Sequence, residues 1–111
     1  MRIEHFEKKK PLNSSIEDFV VTTIDFDEDS KRIVSFSIMQ VYLTGENKHE
    51  IIRFDTAHGA RHVHRFYKRL DHKEENPTGK EISRVAFDEC RKDIEKNWKK
   101  YKAWYIAKWL T

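Results

Sequence analysis

The chain contains a single cysteine, Cys90, so no disulfide can close within it, and an unpaired thiol of this kind points to a reducing compartment such as the cytosol. No apolar run comes near the roughly 18 residues that a membrane-spanning helix requires, which argues against a membrane partner. Met1 to Lys10 is charged and has no apolar stretch, so it is not expected to act as a secretory signal. Internal repeats are missing, and Lys8-Lys9-Lys10 is the one low-complexity tract. Strict metal-binding signatures are missing as well: there are no paired cysteines and no helical His-Glu-x-x-His.

What remains is a short, polar, aromatic-rich chain. Its 111 residues suffice for a single domain with one core, and seven Phe, four Tyr and three Trp can fill much of that core. Charged residues make up 37% and the mean hydropathy is −0.85, yet the 38% hydrophobic fraction is periodic, which argues for a polar-surfaced fold rather than disorder. The net charge of +3 conceals a sharper segregation. Residues 1–48 hold 7 Lys/Arg against 9 Asp/Glu, residues 49–73 hold 6 against 3, residues 74–82 hold 1 against 3, and residues 83–111 hold 8 against 4. The first basic segment also carries five of the six histidines: His49, His58, His62, His64 and His72. Cations beside imidazoles suit a polyanion such as RNA, whose phosphates attract Lys and Arg at long range. In the second basic segment the same cations equally describe the solvated face of a helix.

Hydrophobic periodicity predicts an α+β domain. Met1 to Ser15 reads as a poorly specified lead-in. Phe19 to Phe26 is a β-branched and aromatic run, Ile33 to Leu43 alternates over a longer strand, Glu50 to Asp55 is a third strand, and Val63 to Tyr67 a fourth. The short connections between them, Asp27 to Ser30, Gly45 to Asn47 and Thr56 to Ala60, favour an antiparallel meander, because a parallel crossover needs about a dozen residues or more. Asp71 to Lys80 is a polar connector. From Glu81 to Trp109 the positions Ile82, Val85, Ala86, Cys90, Ile94, Trp98, Tyr101 and Tyr105 recur at threes and fours, the stripe of one long helix covering the sheet. Such a helix would exceed roughly 40 Å, so a break or an end overhanging onto a partner subunit is expected.

The chemistry concentrates in Ile51 to Tyr67. On a strand Arg53 and Asp55 share one face, and on the returning strand His62, His64 and Phe66 share another, with Val63, Arg65 and Tyr67 on its reverse. Metal-independent RNA cleavage needs one group to take the proton of the 2′-hydroxyl, one to protonate the leaving 5′-oxygen, and cations to stabilise the phosphate. Histidine suits the first two roles, because its ordinary pKa of about 6.5 leaves both forms available near neutrality. Arg53, Arg61 or Arg65 suits the third, while Asp55 would orient a histidine. Arg61, Arg65, Lys68 and Arg69 are the candidate nucleic-acid contacts. The same histidines admit a metal reading, in which His62 and His64 are joined by His58 or Asp55, although no cofactor is the leading expectation. Cys90 lies on the apolar stripe, where a buried thiol is inert. Trp98, Tyr101, Trp104, Tyr105 and Trp109 could stack bases, but their helical spacing favours a packing or dimer face.

The run Arg53-Phe54-Asp55, then Thr56-Ala57-His58, then a histidine-rich return resembles the small TumE-type toxins of toxin-antitoxin pairs, over roughly residues 33–67. Gly59-Ala60-Arg61 stands where that family tends to have Pro and further His. The resemblance implies an RNA-directed toxin with a cognate antitoxin, and it makes Arg53, Asp55, His58, His62 and His64 the functional set. The leading expectation is therefore a cytoplasmic, toxin-like protein acting on RNA as an endoribonuclease, forming a homodimer through Trp104 and Trp109. The alternative is a non-catalytic binding or assembly domain that uses its aromatic helix as the contact face.

Overall fold

The computed structural model describes residues 1–14, 16–56, 61–75 and 82–111. Six strands form one antiparallel sheet in sequence order: β1 (Ile3–Pro11), β2 (Asp18–Asp27), β3 (Arg32–Thr44), β4 (Asn47–Asp55), β5 (His62–Arg65) and the two-residue β6 (Glu74–Glu75). Among the described residues one α-helix, α1 (Arg84–Tyr105), packs on β3 and β4 and runs into a π-helical turn at Ile106–Leu110. The architecture is the α+β meander with a C-terminal helix that the periodicity predicts. Among the described residues no helix is long and apolar enough to cross a membrane.

The strand count exceeds the expected four by two: the lead-in is itself a strand, and within the expected polar connector Glu74 and Glu75 pair with Val63 and His62 as β6. β1 pairs along the whole of β2, from Ile3 opposite Asp27 to Pro11 opposite Phe19. Every one of its residues is exposed, so no buried alternation marks it in the sequence. It is held through the backbone groups that β2 presents. Its lysines and terminal proline are residues that blunt an edge strand against further pairing.

Two β-bulges set the parity of the sheet. In β3, Val34 is the extra residue between the pairs Asp25–Ser35 and Phe26–Ile33. In β4, Ile51 is the extra residue between the pairs Gln40–Ile52 and Val41–Glu50. An inserted residue reverses which side chains face which side beyond it. The hairpin joining β3 to β4 is a tight turn with φ of +58° at Gly45, a conformation that costs glycine nothing.

The core lies between the sheet and α1. Ile38, Ile51, Ile52 and Ile94 are wholly buried, and Phe36 meets Phe87 edge to face at 5.6 Å. The helix begins at Ser83, whose Oγ accepts the Ala86 amide at 3.1 Å. Of the expected stripe, Ala86, Cys90, Ile94, Trp98, Tyr101 and Tyr105 are buried, whereas Val85 is exposed. Of the expected break or overhang, the helix shows a change to a π turn at Ile106–Leu110, from which Trp109 reaches the Phe66 carbonyl just after β5. Polar contacts help to fix the helix: Gln40 Nε2 donates to the Trp98 carbonyl at 2.9 Å, and Lys102 Nζ lies 3.0 Å from Asp18 Oδ2.

Asp18 is almost fully buried, so Lys102 neutralises a charge that water does not reach. Lys102→Met is expected to cost about 3 kcal/mol in urea denaturation, the penalty of an uncompensated buried carboxylate. Asp18→Asn combined with Lys102→Met should recover most of that loss. Additive losses would show that the pair is not coupled.

Candidate functional site

β4 and β5 pair so that Arg53 faces His64 and Asp55 faces His62. Directly opposed residues of an antiparallel pair share a face, and this is the face that α1 does not cover, since Ile52, Phe54 and Val63 are buried on the other. Ser37 lies opposite Asp55 and Met39 opposite Arg53, continuing the same rows onto β3. The register therefore brings together four of the five residues of the functional set. The fifth, His58, lies outside the described residues.

Asp55 is the hub of this cluster. Its Oδ2 accepts from Arg53 Nε at 3.1 Å and lies 3.1 Å from His64 Nε2. Arg53 also stands 3.9 Å from Glu50. His64 Nδ1 lies 3.1 Å from the His72 carbonyl, so both of its ring nitrogens face oxygen acceptors, and both contacts are hydrogen bonds when each nitrogen carries hydrogen. Asp55 and the His64 side chain are each only 14% exposed, so the pair is weakly screened. His62 differs: its ring makes no hydrogen bond within the described residues, and its Nδ1 is buried without a partner.

Three residues outside the expected functional set hold this arrangement. Phe66 stacks on His64 with ring centroids 5.7 Å apart and supports the Arg53 guanidinium from 5.6 Å. Trp109 donates its indole N–H to the Phe66 carbonyl at 2.8 Å. His72 presents its carbonyl to His64 and accepts the Arg65 backbone N–H at Nδ1, 3.0 Å away, which places its own ring hydrogen on Nε2, 3.6 Å from Glu74. Phe66 was visible as the third member of the His62 and His64 parity. His72 sits in a turn, where no periodicity points to it.

The expected nucleic-acid contacts separate. Lys68 and Arg69 are exposed, the latter 3.4 Å from Asp71. Arg65 lies opposite Ile52 on the helix-facing side and donates to Tyr67 Oη at 3.2 Å. Arg61 does not join them: it is 7% exposed, with Glu89 at 3.8 Å and its Nε lacking a partner, so its guanidinium is enclosed rather than offered to a phosphate. Among the described residues no three His, Cys, Asp or Glu side chains stand close enough to hold a metal ion. Burial pushes the Cys90 thiol up to about 11, which leaves it unreactive. Trp98, Tyr101 and Tyr105 are packed into the core, with Tyr101 stacked on Tyr67, so only Trp104 and Trp109 of the aromatic set remain substantially exposed.

The chain matches the family described as domain of unknown function DUF7718 over residues 6–109. It belongs to that family. No curated protein and no solved structure matches it. The DUF7718 match carries no activity and does not connect the chain with TumE-type toxins, whose likeness rests on the residues quoted above.

Burial, with the nearby charges of Lys68, Arg69 and Arg65, holds His72 below the ordinary histidine range against the opposing pull of Glu74. A folded-state pKa below the unfolded value means that acid protonates the unfolded chain first. Stability contributed by neutral His72 is thus full above about 6.5 and falls as pH drops from there toward the folded value. His72→Asn, whose carbonyl can accept the same Arg65 N–H, should show a smaller loss of urea midpoint between pH 7.5 and 5.5 than the wild type. Equal losses would remove His72 as a source of acid sensitivity.

Proposed function

We propose that this DUF7718 chain is a cytoplasmic, RNA-directed protein that cleaves RNA without a metal at the cluster around Asp55. The observation that carries the reading is one carboxylate holding both Arg53 and His64 beside an unpartnered His62, on the sheet face left open by the helix. A buried polar atom without a partner costs about 1 to 3 kcal/mol, and such groups are often kept for a ligand. In this reading His62 takes the proton of the ribose 2′-hydroxyl at Nε2, since its Nδ1 is shielded from solvent. The freed 2′-oxygen attacks phosphorus, the bond to the 5′-oxygen breaks, and a 2′,3′-cyclic phosphate remains. Arg53 and His64 stabilise the charge on the phosphate, and the proton for the leaving oxygen comes from His64 or His58. Lys68 and Arg69 add longer-range attraction to the strand.

The TumE resemblance supports a toxin role with a cognate antitoxin, and Trp104 and Trp109 are the surface for self-association. One observation favours the rival class, a non-catalytic binding domain: Arg53 and His64 are already engaged by Asp55, as in a structural ion-pair network.

Cleavage of a fluorescent single-stranded RNA, in purified protein treated with chelator, separates the two. His62→Leu should abolish cleavage, by a factor of about 100 or more, while raising fold stability by about 1 kcal/mol through removal of the unpartnered nitrogen. His64→Ala should abolish cleavage and also destabilise, because Asp55 loses a partner. Wild-type protein that leaves RNA intact, with and without a partner, would overturn the catalytic reading. Binding without cleavage would identify the binding domain instead. In either case affinity should fall with salt on a log-log plot, and Lys68→Ala with Arg69→Ala should make the slope shallower by about 0.7 per lost contact.

A further inference from the structure

The helix covers only part of the sheet. Because α1 lies on β3 and β4, the same face of β1 and β2 is left as an open groove beside the first turns of the helix. One half, about 920 Å³, has a floor of Phe6, Ile24, Phe26, Ile33 and Ile82. The other, about 350 Å³, continues past Val20 to Phe87. The two halves share Phe6, Ile24 and Arg84, so they form one continuous trough. Phe6 is 52% exposed there, although its neighbours across the sheet belong to the strands that build the core. The β3 bulge at Val34 is what turns Ile33 into this trough.

The rim carries an excess of cations. Lys31, Arg32 and Arg84 stand at one half, and Lys8, Lys10 and Arg91 at the other. The carboxylates along it are Glu28, Glu7 and Glu95, with Asp88 beside them on α1: Glu28 pairs with Lys31, Glu95 with Arg91 and more loosely with Lys10, and Asp88 with Arg84 and Arg91. Lys8 and Arg32 have no carboxylate within ion-pair distance among the described residues. An apolar floor under a rim with excess positive charge is complementary to an amphipathic segment whose polar face is acidic. A second copy of this chain is a poor match, because the same cations would then face one another across the contact.

We infer that this trough is a docking site for an acidic amphipathic helix of a partner protein, with apolar side chains laid on Phe6, Ile24 and Ile33 and carboxylates meeting Lys8, Arg32 and Arg84. The site lies on the opposite face of the sheet from the Asp55 cluster, so the inference stands apart from the RNA reading and neither fails with the other. An occupant of this trough would leave the cluster's face uncovered.

The test uses the full chain and two synthetic peptides of about five helical turns with the same Leu and Ile stripe, one with Glu and one with Lys on the polar face. Fluorescence anisotropy should show the acidic peptide binding roughly tenfold or more tighter than the basic one. Amide shifts in NMR should map to residues 6–10, 24–33 and 82–91. Lys8→Glu with Arg32→Glu, two exposed positions away from the core, should abolish that preference while leaving the thermal midpoint unchanged. Ile33→Asp should weaken the acidic peptide further, and its far-ultraviolet circular dichroism checks that it folds. Equal binding of both peptides, binding of neither, or shifts confined to the Asp55 face would each overturn the inference. So would a single-stranded RNA that shifts the trough residues in place of the acidic peptide, or sedimentation showing that the trough is closed by a second copy.

Discussion

The single extra residue in β4 decides what the two faces of the sheet carry. Ile51 has no opposite partner, and beyond it the alternation of the strand reverses. On one side of the bulge, Arg53 and Asp55 point to the helix-free face while Ile52 and Phe54 enter the core. On the other side, His49 joins Tyr42 and Tyr105 in a ring contact against the helix. Without the bulge, one strand could not bury Ile52 and Phe54 and also seat His49 beneath α1. The helix position, the core and the exposed polar cluster all follow from that one insertion.

Much of the architecture was legible because burial on one face imposes a period. β2 to β4 and the helix stripe stand where alternation and threes-and-fours place them, and period two put Arg53 with Asp55 and His62 with His64 before any register was known. What escaped had no periodic consequence. β1 is exposed throughout, so its residues answer to backbone pairing and to edge protection rather than to a core. The bulges appear in sequence only as ordinary isoleucine and valine. Arg61 sits in a run of cations and histidines, yet its surroundings come from α1, some 28 residues away at Glu89, and no local pattern announces that contact. His72 acts through its main-chain carbonyl, which every residue possesses.

The two faces of the sheet are built on different physical terms. Beneath the helix, burial is nearly complete, and of the polar groups there Asp18 and Gln40 are each tied to α1 by one strong contact. On the open face, polar side chains link across strands: Thr23 Oγ and Ser37 Oγ meet at 2.5 Å, and Asp25 accepts from Ser35 and His5. Those two hydrogen bonds, Ser35 first, hold the Asp25 carboxyl below its usual range. A face woven from hydrogen bonds keeps its side chains in fixed directions without needing a second layer on top. That is the condition for a small protein to present a defined constellation on a surface that no helix protects.

The brace supplied by Trp109 has a consequence in time. Phe66, which supports His64, has its carbonyl held by an indole 43 residues further along the chain. At a synthesis rate of about 5 to 20 residues per second, Phe66 is joined to the chain roughly 2 to 9 s before the residue that steadies it. During that interval the strands can pair while Phe66 lacks its anchor. The constellation is therefore completed only when Trp109 reaches Phe66, as the π turn that follows α1 settles against the chain beyond β5.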